Sequence, residues 1–222
     1  MKYTTRLLVC FLFVQLSSLS LSAQQNPRFY KDIQAFKKQD SISAPPKNAI
    51  LFVGSSSFTG WKDVQTYFPE YPIINRGFGG SSLTDVIRYT NDIIIPYQPK
   101  QVVVYCGEND FTVTGVNADT VYNRFKTLFE LIRKDLPKTH IAFVSLKPSP
   151  SRAKYMPEMA RANDLIRDYL KTNRRTAYVD VYSKMLLADG TPMPHIFKAD
   201  KLHMVESGYR IWQKEIQPAL VK

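Results

Sequence analysis

Cysteine is almost missing from this 222-residue chain, which has only Cys10 and Cys106. Cys10 falls in the first apolar stretch, so a chain processed after that stretch keeps one thiol and closes no intramolecular disulfide. Cys106 ends an apolar run, where a buried structural thiol is expected rather than a nucleophile. Long hydrophobic runs are missing too. The N-terminal run extends only from Leu7 to Leu16 and is broken by Gln15, short of the ~20 residues that span a bilayer. No run of Lys and Arg exceeds two, and no DNA- or RNA-binding motif occurs, which argues against nucleic acid as a partner. There is no internal repeat and no His-x-x-x-His type of ligand spacing; Glu108 and Asp110 suggest no metal site, and neither metal nor cofactor is expected.

The first residues, MKYTTRLLVCFLFVQLSSLSLSAQQ, set Lys2 and Arg6 ahead of the apolar run and end it in a Ser-rich stretch at Ala23. That is the layout of a signal peptide over residues 1–23, and it predicts an exported protein, periplasmic, cell-surface or secreted, with no membrane span after cleavage. The position of Cys10 inside the apolar run does not suit a lipid-modified processing site. Loss of Lys2 and Arg6 takes the formal charge from +11 to +9, a balance that suits a solvated surface and, weakly, anionic partners. Hydrophobic residues are 44% and charged residues 22% of the chain, as in ordinary globular proteins. The length fits one domain. Residues 24–47, with Pro27, Pro45 and Pro46, read as an irregular or partly helical lead-in to a domain over residues 48–222.

Five short apolar runs follow, Ala49 to Val53, Pro72 to Asn75, Gln101 to Cys106, His140 to Leu146 and Thr176 to Val181. Each is rich in Val, Ile or aromatic residues and bounded by Gly, Pro or Asn, the pattern of buried strands. Between them, Val121, Phe125, Leu128 and Ile132 share one helical face. Ala160, Asp164, Ile166 and Leu170 lie in a weaker helical stretch, and Tyr209, Trp212, Ile216 and Leu220 stripe the last one. Strands alternating with helices predict an α/β fold, a three-layer α/β/α sandwich around a five-stranded parallel sheet. Ligands of such sheets bind beyond the carboxyl ends of the strands. Three loops should open there: Gly54-Ser55-Ser56-Ser57, Asn75-Arg76-Gly77-Phe78-Gly79-Gly80 and Gly107-Glu108-Asn109-Asp110.

A serine needs an adjacent base, usually a histidine oriented by a carboxylate, before its hydroxyl attacks a carbonyl. Of three histidines, His140 begins an apolar strand and His195 sits in a surface loop. His203 stands three residues after Asp200 and just before the last helical stretch, a spacing that on a tight turn lets the carboxylate reach Nδ1 and leaves Nε2 for a serine. An oxyanion hole is the second requirement. The backbone N–H of Ser56, the N–H of Gly80 and the side-chain amide of Asn109 are its candidates. The competing reading of the glycine cluster, a phosphate cradle, lacks the lysine that follows in a P-loop.

Four segments together resemble the SGNH hydrolases, the GDSL esterase/lipase family: "FVGSSSFTGW", "NRGFGGSS", "GENDF" and "DKLHMVESGY". The resemblance implies the flavodoxin-like fold of that family, Ser56, His203 and Asp200 as catalytic residues, and Ser56, Gly80 and Asn109 as the oxyanion hole. "NRGFGG" is similar in particular to the branch containing the platelet-activating-factor acetylhydrolase catalytic subunits. Where the family usually reads Gly-Asp-Ser, this chain has Ser55 in place of the aspartate. The register, two residues after Gly54, favours Ser56, with Ser55 and Ser57 as alternatives. The α/β-hydrolase elbow Gly-x-Ser-x-Gly does not fit, since Phe58 stands where the second glycine belongs.

The implied activity is hydrolysis of carboxylic esters, short acyl groups such as acetyl on a small-molecule or glycan substrate, carbohydrate or lipid. Arg152 and Tyr155, in the stretch after the fourth strand, are candidate substrate contacts, and Trp61 and Phe111 are core residues or acyl-side walls. The alternatives are a lysophospholipase- or thioesterase-type acylhydrolase, a catalytically silent carbohydrate-binding protein on the same fold, and a surface adhesion protein. Only the last gives no reason for Ser, Gly, Asn and Asp-x-x-His to fall at successive strand ends.

Overall fold

The computed structural model describes residues 26–222; the expected signal peptide lies outside the described residues. Five strands form one sheet: β1 (Ile50–Gly54), β2 (Ile73–Gly77), β3 (Gln101–Tyr105), β4 (His140–Val144) and β5 (Thr176–Val179). Their order is β2-β1-β3-β4-β5 with every neighbour parallel. Parallel pairing requires crossovers, and these bury both sheet faces. Hence β1 and β3, which have neighbours on both sides, are buried at every position, while the edge strands β2 and β5 are partly open.

One face is covered by α1 (Tyr30–Ile42), α4 (Leu83–Arg88), α5 (Thr90–Ile93), α6 (Ala118–Asp135) and α7 (Met156–Lys171). They pack on Leu51, Val53, Val102, Val104, Ile141 and Phe143. The other face carries α2 (Ser56–Thr59), α3 (Val64–Tyr67) and α8 (Glu206–Ile216). These pack on the alternate residues Ile50, Phe52, Val103, Tyr105, Ala142 and Val144, because successive strand side chains point to opposite faces. The predicted α/β/α sandwich is the observed one. The connections after β1 and β3 leave on opposite faces, so a crevice opens between those two strand ends, where ligands of such sheets bind.

The 3.6-residue period accounts for the helices. In α6, Val121, Phe125, Leu128 and Ile132 are all buried, and the Asn117 side chain accepts from the Thr120 N–H at 2.9 Å to start the helix. In α7 the buried stripe is Met159, Ala162, Asn163, Ile166 and Leu170, so Ala160 and Asp164 of the expected set lie off it. Asn163 is a polar residue on that stripe, and it is satisfied by the Leu146 N–H (2.8 Å) and C=O (3.1 Å), which pins the end of β4 to α7. Leu220 is buried but follows α8 rather than belonging to it. Within the lead-in, α1 docks through buried Ile33 and through Asp40, which accepts from Arg76 and Tyr97. Among the described residues no helix is long and apolar enough to cross a membrane.

Candidate active site

The chain leaves β1 at Gly54 with φ +142°, and a Cβ there would fall 1.9 Å from the Tyr105 carbonyl oxygen. Only glycine permits that approach, and it lets the Ser55 N–H donate to Tyr105 O at 3.0 Å. Ser55 is extended and Ser56 opens the short helix α2. Ser55 and Ser57 are buried, 2% and 3% exposed, whereas Ser56 is half-buried. Of the three serines, Ser56 is the one open to solvent. The turn is held from below by Phe58, whose ring meets Trp212 at 5.9 Å and Tyr105 at 6.0 Å, and by the Tyr209 hydroxyl donating to Ser57 O at 2.9 Å. Trp61 and Phe111 are buried, 0% and 2% exposed, and so belong to the core and are no walls of an acyl site.

The second loop docks on the same strand end. Phe78 N–H and Ser81 Oγ both donate to Gly54 O, at 2.9 and 3.2 Å. A Cβ built on Gly79 would lie 3.9 Å from Ser56 Cβ, which sets this loop beside the serine. Gly80 has φ +81°, a left-handed conformation. The third loop joins through Asn109 Nδ2, which donates to Ser81 O at 3.0 Å and so spends one of its two amide hydrogens. Asp110 is fully buried; it accepts from Leu83 N–H (2.9 Å) and Arg124 (2.7 Å), so it clamps the second loop to the third. Burial raises its carboxyl above the usual range. Neither the Ser56 nor the Gly80 N–H meets a protein acceptor among the described residues. Two orphan N–H groups and one spare amide hydrogen therefore lie on adjoining loops at one edge, a donor set for a developing anion.

Asp200 and His203 share a tight turn in which Asp200 Oδ1 accepts from the Leu202 and His203 N–H groups at 3.0 and 2.9 Å, and Oδ2 meets His203 Nδ1 at 2.6 Å. The His203 ring and these two N–H bonds hold the Asp200 carboxyl well below the usual carboxylate range. No hydrogen bond joins His203 to Ser56. Such contacts are commonly loose without substrate. The segment Pro150–Tyr155 leans on this turn, Ser151 N–H donating to Lys201 O at 3.1 Å. Arg152 Nε in this segment and Ser149 Oγ just before it are enclosed without a protein partner among the described residues, and Tyr155 stacks on Phe111 at 6.3 Å.

Two features escape motif reading. Arg28, from the lead-in, donates to Gly80 O (2.9 Å) and Asp85 (3.2 Å), which places a mostly exposed guanidinium next to the second loop. Its neighbour Phe29 takes φ 65°, and its ring meets Phe78 at 5.1 Å. Beneath the third loop, Lys147 Nζ bonds both Glu108 oxygens at 3.0 and 2.8 Å, and the Tyr105 hydroxyl donates to the same carboxylate. Burial and then the Glu108 charge push the Tyr105 phenol up, which keeps it a donor. Lys147 follows β4 with no motif to mark it; only its position at a strand end hinted at a role.

Removing one partner of a buried pair strands the other as an uncompensated charge. Lys147→Met is expected to lower the unfolding free energy by about 3–5 kcal/mol in urea titrations, and Glu108→Gln/Lys147→Met to recover most of that loss. A single-variant loss below about 1 kcal/mol would mean the pair is wet and energetically idle.

A family model described as GDSL-like Lipase/Acylhydrolase matches residues 40–211. Among solved structures, a candidate acylhydrolase from Bacteroides fragilis is 23% identical with a TM-score of 0.74, covering 86% of this chain and 96% of its own. A GDSL-like lipase from Bacteroides thetaiotaomicron is 22% identical with a TM-score of 0.71, covering 84% and 96%. A catalytic mutant of Axe2, an acetylxylan esterase from Geobacillus stearothermophilus, is 14% identical with a TM-score of 0.62, covering 79% and 94%. At these identities the likeness is one of fold. No curated protein matches the chain.

Proposed function

Since the chain belongs to the GDSL-like lipase/acylhydrolase family, we propose that it is an exported serine esterase that removes short acyl groups, acetyl foremost, from carbohydrate or lipid esters. The observation that carries this reading is the meeting of one open serine with unspent N–H donors on adjoining loops. Ser56 Oγ attacks the ester carbonyl while His203 Nε2 takes its proton. Asp200 keeps the proton of the imidazole on Nδ1 and stabilises the cation. The oxyanion is received by the N–H groups of Ser56 and Gly80 and by Asn109 Nδ2. Collapse expels the alcohol, which takes the proton from His203. Water then attacks the acyl-serine through the same base and releases the carboxylic acid.

Short acyl groups are favoured because the neighbouring aromatic rings are spent on the core. Cavities of about 570, 380 and 360 Å³ lie elsewhere, and none is lined by Ser56, Gly80, Asn109 or His203. The acetylxylan esterase among the structural neighbours supports the same choice. Arg152 and Tyr155 stand by the histidine turn as contacts for the alcohol part of the substrate. Export rests on residues 1–23 alone. The expected result with p-nitrophenyl esters is a kcat/KM on acetate at least about tenfold above that on octanoate, since aromatic rings committed to the core leave the extra methylenes little to bind. A preference for octanoate would overturn the short-acyl reading, and no turnover of any ester by folded protein would replace hydrolysis with glycan binding.

A further inference from the structure

A cavity of about 570 Å³ opens at the amino-terminal edge of the sheet, a full strand length away from Ser56. It lies where the chain enters β3, β4 and β5, and Lys100, Lys138, His140, Arg175 and Lys222 line it, with Asp135 the one acidic side chain on its wall. Some basic side chains elsewhere on the surface are matched with acids on their own helices, as Arg167 is with Asp164, Lys171 with Asp168 and Arg210 with Glu206. Here they are not. Among the described residues none of Lys100, Lys138, Arg175 and Lys222 forms an ion pair, and neither does Arg133 beside them.

Two arginines, Arg175 on its wall and Arg133 beside it, are held by backbone carbonyls. Arg133 donates to Pro137 O (3.0 Å), Thr139 O (2.8 Å) and Arg174 O (3.2 Å), which ties the loop after α6 to the loop before β5. Arg175 donates to Lys138 O at 3.2 Å and holds φ 57°, a left-handed backbone that non-glycine residues seldom adopt. Strain of this kind persists only where the surroundings enforce it, and it gathers at ligand sites. The unrelieved field is felt by His140, whose pKa is lowered by burial and then by Arg175 and Arg133.

We propose that this cavity is a second binding site, separate from the esterase edge, for a ligand carrying two or more closely spaced acidic groups. Such groups are found in a pyrophosphate-like anion or in consecutive acidic sugars of a glycan. Four cationic side chains, Lys100, Lys138, Arg175 and Lys222, around one acidic side chain match that chemistry, and a neutral ligand would leave their repulsion in place. The inference stands apart from the esterase reading.

Calorimetric titration with inorganic pyrophosphate, tri-galacturonate and neutral xylotriose tests it, on the wild type and on K100E/K138E. Lys138 is exposed, and Lys100 is half-buried with its ammonium 5.8 Å from the Tyr71 ring centre; neither ammonium is held by an ion pair among the described residues. At least one acidic probe is expected to bind, with affinity falling as salt rises from about 0.05 to 0.5 M, and to lose about tenfold or more in the double variant. Thermal stability and p-nitrophenyl acetate turnover, if the protein has it, should match the wild type. Binding of pyrophosphate alone identifies a phosphate-type ligand, and binding of the trisaccharide an acidic glycan. No binding of either acidic probe, equal binding by the variant, or equal binding of xylotriose would overturn the site.

Discussion

Ser56→Ala is expected to lower kcat on p-nitrophenyl acetate by about 10⁶-fold, with His203→Ala close behind, while Ser55→Ala and Ser57→Ala stay within about tenfold of the wild type. The magnitude follows from how the residues act. A nucleophile and its base work as a unit, so losing either leaves only the donors and the binding surface, which still speed the reaction over water. The contrast among three consecutive serines is the sharper part. Ser55 and Ser57 are buried, and Ser57 is tied by its carbonyl to Tyr209, whereas Ser56 alone reaches solvent at the head of α2. Single-turnover kinetics with the four variants checks this. Near-normal activity in Ser56→Ala with loss in Ser57→Ala would move the nucleophile and require the turn to open.

The three-serine turn also shows where sequence reading stops. The five strands were legible because β-branched runs bounded by Gly, Pro and Asn have few other fates, and the observed strands fall inside the expected runs to within a residue or two. The fold followed from their alternation with helices. The loops at the carboxyl edge were legible too, since parallel strands must all end there. What the strand pattern could not convey was which of three identical side chains faces outward, because that depends on φ at Gly54 and on a carbonyl two strands away in sequence. Lys147 and Arg28 were illegible for a related reason. Lys147 meets Glu108 across 39 residues and Arg28 meets Gly80 across 52, and no local period records such a meeting. The loss of the family aspartate at position 55 is accommodated by backbone bonds, Ser55 N–H to Tyr105 O and Ser55 O to the Phe58 and Thr59 N–H groups. These hold the turn without a side-chain acid.

Asp200→Asn is the second variant with a large expected effect, a loss of about 10⁴-fold in kcat with little change in thermal stability. The substitution separates two roles of one side chain. Oδ1 accepts from the Leu202 and His203 N–H groups, and an asparagine oxygen keeps both bonds, so the turn survives. Oδ2 meets His203 Nδ1, and there the amide presents N–H in place of a lone pair. Nδ1 must then accept, the ring proton moves to Nε2, and the base that should take the Ser56 proton is already occupied. Charge adds to this, because the developing imidazolium loses its counter-ion. In the wild type the His203 hydrogen bonds hold the Asp200 carboxyl below its usual range. Its contribution is therefore in place above the ordinary carboxylate pKa and is lost only as pH falls through the lowered value, far on the acid side of where histidines titrate. The acid limb of kcat/KM should accordingly show no ionisation of Asp200 in the ordinary carboxylate range. An Asp200 ionisation within that range, followed by the carboxyl signal of labelled Asp200, or an Asp200→Asn variant with near-normal kcat, would mean that Asp200 does not orient His203 during turnover.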